Sequence, residues 1–460
     1  MTDILFTYQH KQREIETLCL LKLEMERRGF TSDFLCTFVP NRIFSFFKKA
    51  KLTVSSAMYD TDVLWFFVYD IVGFTKKIIN LQWEQVLSNY DEANPNCFHN
   101  PTEFAKEVVH LCWGEEPKKR ITMGGVAFEN APITGAVHLD FFLKEFNDYF
   151  LNKTELSTIY NIDSQVEWCL FISSFTMHNM NEEEFSQLIS CYGEEAIELK
   201  KITIESKMHI LSWIENALVE YPKKLFIYRP HPDETSDESL LQMEKIYLNF
   251  KIISDLSVKQ WIKCSERIYT WYSTSAAEAE KANKGFDILR PIKIPLQYDV
   301  SFYKGAKFVE SKESFLNSLH STHQLNPLDI WLLHSYYKND DTYPAYMRVA
   351  DILEKTLTTT ELDMKNYPSA FSVNFGLMKK KLRKIIKNLL FKWIGLNATK
   401  LPFLAKSMEN SIAMSERLKR DLPKNFASID EIGVICGKLR PIVNADLFSK
   451  NKLKGSNIDA

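Results

Sequence analysis

Leu225-Phe226-Ile227-Tyr228-Arg229-Pro230-His231-Pro232-Asp233-Glu234 is the stretch whose reading decides the fold. Four apolar or aromatic residues make a short strand. Two prolines around a histidine stop it abruptly, so Arg229 and His231 leave a sheet edge in a rigid, extended turn. Such a turn can present a binding site, or it can be a plain strand stop with Arg229 and His231 as solvated loop residues. The neighbouring sequence bears on the choice.

On the N-terminal side, residues 168–172 (Trp-Cys-Leu-Phe-Ile) predict a strand that reaches Ser173-Ser174-Phe175-Thr176. A long helix over 197–219 follows, with Ile202, Ile204, Met208, Ile210, Leu211, Ile214, Ala217 and Leu218 as its buried side. On the C-terminal side come a strand at 250–253, a short helix at 257–264 and a strand at 267–272 that ends in Ser273-Thr274-Ser275. A helix over 276–283, stopped near Gly285, and a strand at 286–289 complete the series. Strands alternating with helices imply a parallel, doubly wound sheet.

The first part of the chain repeats the pattern. Strands are predicted at 4–8, 34–39, 52–55, 78–83 and 120–123, the last running into Gly124-Gly125, with a helix over 12–28. Residues 140–150 look helical, and the polar stretch 152–165 reads as a hinge. Parallel sheets hold ligands beyond the carboxyl ends of their strands, which here carry Gln9 and His10, Glu84 and Gln85, and Gly124 and Gly125. The expected organisation is a first Rossmann-like domain over 1–155, a second over 156–325 and a helical extension over 326–460.

Within that extension, residues 377–396 set Met378, Leu382, Ile385, Leu389, Trp393 and Leu396 on one side of a helix. Lys379, Lys380, Lys381, Arg383, Lys384, Lys387 and Lys392 lie mostly on the other. This is the composition of a helix lying on an anionic membrane, and equally that of a helix packed on the domain with a solvated basic face.

Totals bound the function. With 460 residues, 45% apolar, 25% charged and a net charge of −2, the chain is a globular protein of more than one domain, and nucleic-acid binding has no compositional support. The start lacks a basic and apolar leader, and the longest apolar run, 63–74, is interrupted by Asp70 and too short to span a bilayer. A cytoplasmic protein, peripheral at most on the inner face of a bacterial inner membrane, is expected. The eight cysteines form no CxxC pair or zinc spacing and read as reduced core residues.

Ser273-Thr274-Ser275 offers three hydroxyls and a helix start, which suits a phosphate. It also fits an ordinary helix cap, with Glu278 at capping-box distance from Ser275. His231, Arg229 and these hydroxyls follow strands of one sheet and can converge on one phosphate. No GxGxxG follows the first strand and no Walker lysine is present.

An Arg-Pro-His-Pro turn and a Ser-Thr-Ser-Ala-Ala-Glu-Ala junction, each in the second of two Rossmann-like halves, resemble the GT-B glycosyltransferases of bacterial surface-carbohydrate synthesis. The Kdo transferases of capsule and lipopolysaccharide are the nearest group, with sialyl- and polysialyltransferases further off. The resemblance implies a GT-B-like fold and a nucleotide-sugar donor, a CMP-sugar such as CMP-Kdo in the first place. His231 would contact its phosphate with Arg229; Ser273, Thr274 and Ser275 would hold the phosphate, and Glu278 would meet ribose or base. A glycan or glycolipid acceptor would bind the first domain, near His10 and Gln85. Arg-Pro-His-Pro also resembles the turn of the glycerophosphotransferases that build teichoic-acid-like polymers, which leaves a CDP-glycerol enzyme open, as well as a glycan-binding protein without turnover.

The acidic base motif of sialyltransferases is not evident. Glu84, at a strand end of the first domain, takes its place as candidate base or nucleophile, or is a surface residue beside a core Trp83. Asp140, His10 and Asp60 rank below it. Asp60-Thr61-Asp62 matches a DxD metal pattern only formally. No metal is predicted, and no cofactor beyond the nucleotide-sugar co-substrate.

Overall fold

The computed structural model describes residues 2–37, 50–234, 237–321, 326–359, 368–379, 382, 422 and 425–445. The chain divides into two compact units. One comprises Met1–Gln85, Pro95–His138 and Tyr337–Ala460, the other Val86–Asn94 and Leu139–Tyr336. These limits differ from the 155 and 325 expected. Two corrections are instructive. The stretch 152–165 holds a helix, Lys153–Tyr160, because Asn152 and Glu155 form a capping box and Asn161 ends the helix in the left-handed region (φ 50°). The C-terminal helices Ala345–Thr358 and Ile429–Asn444 both pack on the first unit's helix α1, Lys11–Arg27.

The first unit is built on β1 (Thr2–Tyr8), β2 (Ser32–Cys36), β3 (Ala50–Ser55), β4 (Ile78–Asn80) and β5 (Val109–His110). They form one sheet in the order β2-β1-β3-β4-β5, every pair parallel. Consecutive buried residues from Ile4 to Tyr8 are what a strand covered on both faces requires. The chain winds from β1 to β2 and then back across β1 to β3, so the topological switch lies between β1 and β3.

Residues 120–123 are not a strand. They close the helix Glu115–Met123, which Gly114 starts, Glu115 and Glu116 favour at the positive end, and Pro117 tolerates within the first turn. The fifth strand is instead the two-residue β5. β4 stops at Asn80 rather than Trp83, because the Asn80 side chain accepts from the Gln82 amide at 3.0 Å and Gln82 turns left-handed (φ 43°). Residues 137–150 split into a short helix, Val137–Asp140, and a 3-10 segment, Lys144–Tyr149.

The second unit carries β6 (Glu167–Ile172), β7 (Lys224–Arg229), β8 (Phe250–Ile252), β9 (Arg267–Thr270), β10 (Phe286–Leu289) and β11 (Phe308–Val309). Their order is β11-β10-β9-β6-β7-β8, again wholly parallel, with the switch between β6 and β9. The helix Glu195–Glu220 buries Ile202, Ile210, Leu211, Ile214, Ala217 and Leu218 in the same core as Phe171, Phe226 and Tyr228. Met208, expected on that side, is exposed, and Lys207 is buried in its place. Of the basic segment 377–396, only 377–379 and 382 lie among the described residues.

Candidate functional site

β7 delivers the Arg-Pro-His-Pro turn. The Glu234 amide donates to the His231 carbonyl at 2.9 Å, which folds the turn back on itself. The Asp233 amide donates to His231 Nδ1 at 3.2 Å, so in the neutral ring the proton sits on Nε2. The imidazole is 38% exposed.

Beneath it lies a buried polar cluster that the sequence reading missed. The Glu234 carboxylate accepts from Lys207 Nζ at 3.0 Å, Tyr228 OH at 2.8 Å, Ser173 Oγ at 2.5 Å and the His231 amide at 3.3 Å. Lys207 also reaches Asp237 at 2.9 Å. Desolvation works against the Asp237 carboxylate, but bonds from Ser239 and Lys207 outweigh it and hold its pKa at about 2. A carboxylate with four donors from three elements fixes the His231 turn to β6, β7 and the long helix. The only signal in the sequence was a lysine on the apolar side of that helix.

Arg229 differs from expectation. Its guanidinium is buried and donates to the carbonyls of Asp255 at 2.8 Å and Ile253 at 3.5 Å, and to that of Leu256. Its geometry is that of a clamp on the loop after β8, not of a phosphate ligand.

Ser273, Thr274 and Ser275 follow β9. Tyr303 OH donates to the Ser273 carbonyl at 2.8 Å, and the Ser275 amide donates to Ser273 Oγ at 3.2 Å. Ser275 precedes the helix Ala276–Lys281 without a side-chain cap bond to its backbone; its hydroxyl bonds the Glu278 carboxyl, whose pKa burial pushes up. Thr274 is exposed and the two serines are half-buried.

Three further polar groups sit directly after the strands on both sides of the switch. Ser174 Oγ after β6, Trp271 Nε1 after β9, and Nε and Nη1 of Arg290 after β10 are buried without a hydrogen-bonding partner. A buried polar group of this kind is ordinarily satisfied by protein, water or a ligand, at a cost of about 1–3 kcal/mol when it is not. No sequence pattern marked them; their position at the strand ends does.

In the first unit Glu84 is the centre of an ion network. Arg13 Nη1 lies 3.3 Å from one carboxylate oxygen and His99 Nε2 3.0 Å from the other, while Arg13 also approaches the buried Glu14 at 3.5 Å. Desolvation opposes the charge on Glu84, but His99 and Arg13 hold its carboxyl far below the ordinary range. Burial opposes protonation of His99, yet Cys97 and Glu84 raise its pKa to about 9. Arg13 follows β1 and Glu84 follows β4, so the network occupies the carboxyl edge. His99 was not among the sequence candidates.

Gln85 is fully engaged elsewhere. It is buried, donates to the carbonyls of Leu81, Gln82 and Leu111 and accepts from the Trp113 amide at 2.8 Å, which leaves no surface for an acceptor. His10 caps α1 by position and pairs through Nδ1 with Asn425 Oδ1 at 3.0 Å. Asp60 accepts from the Val63 amide at 2.7 Å as a helix cap, which explains the formal DxD pattern. Asp140 is buried and belongs to the second unit. Among the described residues no group of three or more His, Cys, Asp or Glu is placed to hold a metal, and no helix is long and apolar enough to cross a membrane.

Two parallel α/β units, each with its polar residues at the carboxyl edge, define a GT-B-like fold. Solved structures of TagF, at a TM-score of 0.50, agree with this fold. The wall teichoic acid polymerase TagF is similar at 11% identity with a TM-score of 0.50, over 77% of this chain and 88% of that one. A UDP-GlcNAc 2-epimerase of Methanocaldococcus jannaschii, in complex with UDP-GlcNAc and UDP, reaches 12% and 0.48 over 77% and 99%. The S. aureus MnaA–UDP structure gives 14% and 0.46 over 78% and 98%. No protein-family model matches the chain, and no curated protein does.

Proposed function

We propose that the chain is a metal-independent glycosyltransferase that moves a sugar from a nucleotide-sugar donor, a CMP-sugar first, to a glycan or glycolipid acceptor. The observation that carries this reading is the set of polar groups around the β6/β9 switch: Ser174, Trp271 and Ser273–Ser275, with His231 on the adjacent strand. In this reading the donor's leaving phosphate takes the Nε2 proton side of His231 and the hydroxyls of Ser273 and Thr274, so charge that develops on departure meets donors already in place. Glu278, whose pKa burial pushes up, meets ribose or base.

The acceptor belongs to the first unit. A carboxylate paired with Arg13 and His99 is a weak base, so Glu84 takes the acceptor's proton only after one partner is drawn away. Arg229 supports the site through its loop rather than by contact.

A second reading is glycerol-phosphate transfer from CDP-glycerol. It is favoured by the Arg-Pro-His-Pro turn together with the TagF fold, one TagF structure being an H444N variant soaked with CDPG. Calorimetry with CMP, CDP, UDP and GDP tests both readings. CMP is released in both reactions, so CMP binding that His231→Ala weakens supports a cytidine-nucleotide enzyme of either kind; a product without phosphorus then supports the first reading, phosphorus entering the product supports the second, and no nucleotide binding overturns both. Nucleotide-free glycan binding unaffected by His231→Ala would assign a binding protein instead.

A further inference from the structure

The helix over 370–379 is apolar on two opposite sides. Val373 and Leu377 are buried in one cluster with Leu64, Val68 and Tyr69. Gly376 comes so close that an added Cβ would stand 2.7 Å from the Trp65 ring. That side is therefore fully covered. On the other side Phe371 is 78% exposed, Phe375 42%, Met378 57% and Leu382, one turn on, 55%. At about 100° per residue these four share one narrow face, roughly opposite Val373 and Leu377. The rings of Phe371 and Phe375 stack at 5.8 Å, and Lys379 Nζ lies 4.6 Å from the Phe375 ring.

A helix with two apolar faces needs two covers, and the second is chosen by charge. From residue 364 to 408 the sequence holds ten lysines and arginines and no aspartate or glutamate, in a chain whose net charge is −2. A second copy of this chain would bring like charge against like. An anionic bilayer offers both an apolar layer and the opposite charge.

We propose that Phe371, Phe375, Met378 and Leu382 insert into the surface of an anionic membrane, with Lys379 at the headgroups. The inference fits a glycolipid acceptor but does not depend on the donor or on turnover, because lipid binding is read without either.

The test is sedimentation of the full chain with vesicles of phosphatidylglycerol and phosphatidylcholine in equal parts, against phosphatidylcholine alone. Binding to the anionic vesicles only is expected. Phe371→Ala/Phe375→Ala should lower the affinity at least about tenfold, since each ring contributes apolar burial in the bilayer, with an unchanged melting temperature. Four outcomes overturn the proposal. They are no binding to anionic vesicles; equal binding by the double variant, which would leave charge alone; a melting temperature several degrees lower, which would mean that this chain's own residues cover the row; and a dimer that the double variant dissociates, which would make the partner a second copy.

Discussion

Lys207 Nζ lies 3.0 Å from the Glu234 carboxylate, with the two side chains only 1% and 2% exposed. A buried ion pair is a weak source of net stability, because desolvation opposes the attraction. Its consequence here is geometric. Glu234 also receives the His231 amide, so the pair decides where the Arg-Pro-His-Pro turn sits.

Lys207→Met should therefore cost about 3–5 kcal/mol, because it leaves the Glu234 and Asp237 carboxylates buried without their cation. Chemical denaturation measures it. The double variant Lys207→Met/Glu234→Gln should be less destabilised than the sum of the single changes, since removing one charge relieves the other. Strict additivity would show that the two groups are not coupled.

The network in the first unit makes stability depend on pH. His99 is raised from 6.5 to about 9, so its contribution is complete below 6.5 and fades as pH rises through 9. Glu84 is depressed below 4.5, so its contribution is complete above 4.5 and is lost as pH falls further. Both act together between 4.5 and 6.5. His110 has the opposite sense, lowered to about 4 by burial, so its contribution is present above 6.5 and is lost as pH falls through 4. Urea midpoints at about pH 6 and about pH 10 should differ in the native protein, and the difference should shrink in His99→Gln.

Arg229→Ala should destabilise by about 2–4 kcal/mol, because three backbone carbonyls lose a charged donor at once. The effect should be local. Hydrogen exchange of residues 253–257 should rise well above that of β7, whereas a direct phosphate ligand would leave exchange unchanged in the absence of nucleotide.

Gly135 and Gly29 separate steric from backbone cost. At Gly135, with φ +78°, an added Cβ would meet Arg348 Nη2 at 2.8 Å and the Lys338 carbonyl at 3.0 Å, whereas at Gly29, with φ +89°, nothing lies within 4 Å. Gly29→Ala should cost about 1 kcal/mol of backbone strain and Gly135→Ala about 2–4 kcal/mol. Equal melting temperatures for the two variants would contradict this.

Much of the fold was legible because apolar runs bounded by turn residues report parallel strands locally. β1, β3, β6, β7, β9 and β10 fall within a few residues of expectation. The failures share a cause. Residues 120–123 have strand-like composition, but Pro117 and the two preceding glutamates favour a helix start, and β5 is too short to carry any periodicity. At 152–165 the capping box of Asn152 and Glu155 is a local helix signal that outweighs the polarity of the segment.

By itself, then, the sequence determined the two doubly wound units and the strand ends at which His231, Ser273 and Glu84 stand. Those features are set by neighbours a few residues apart. Tertiary structure alone decided what these groups meet. It placed Lys207 beneath the His231 turn, turned Arg229 onto the loop after β8, enclosed Gln85 among carbonyls and set His99 against Glu84. Each of these depends on distances between residues far apart in the chain, and a hydrogen bond or ion pair is defined by such distances and not by residue type.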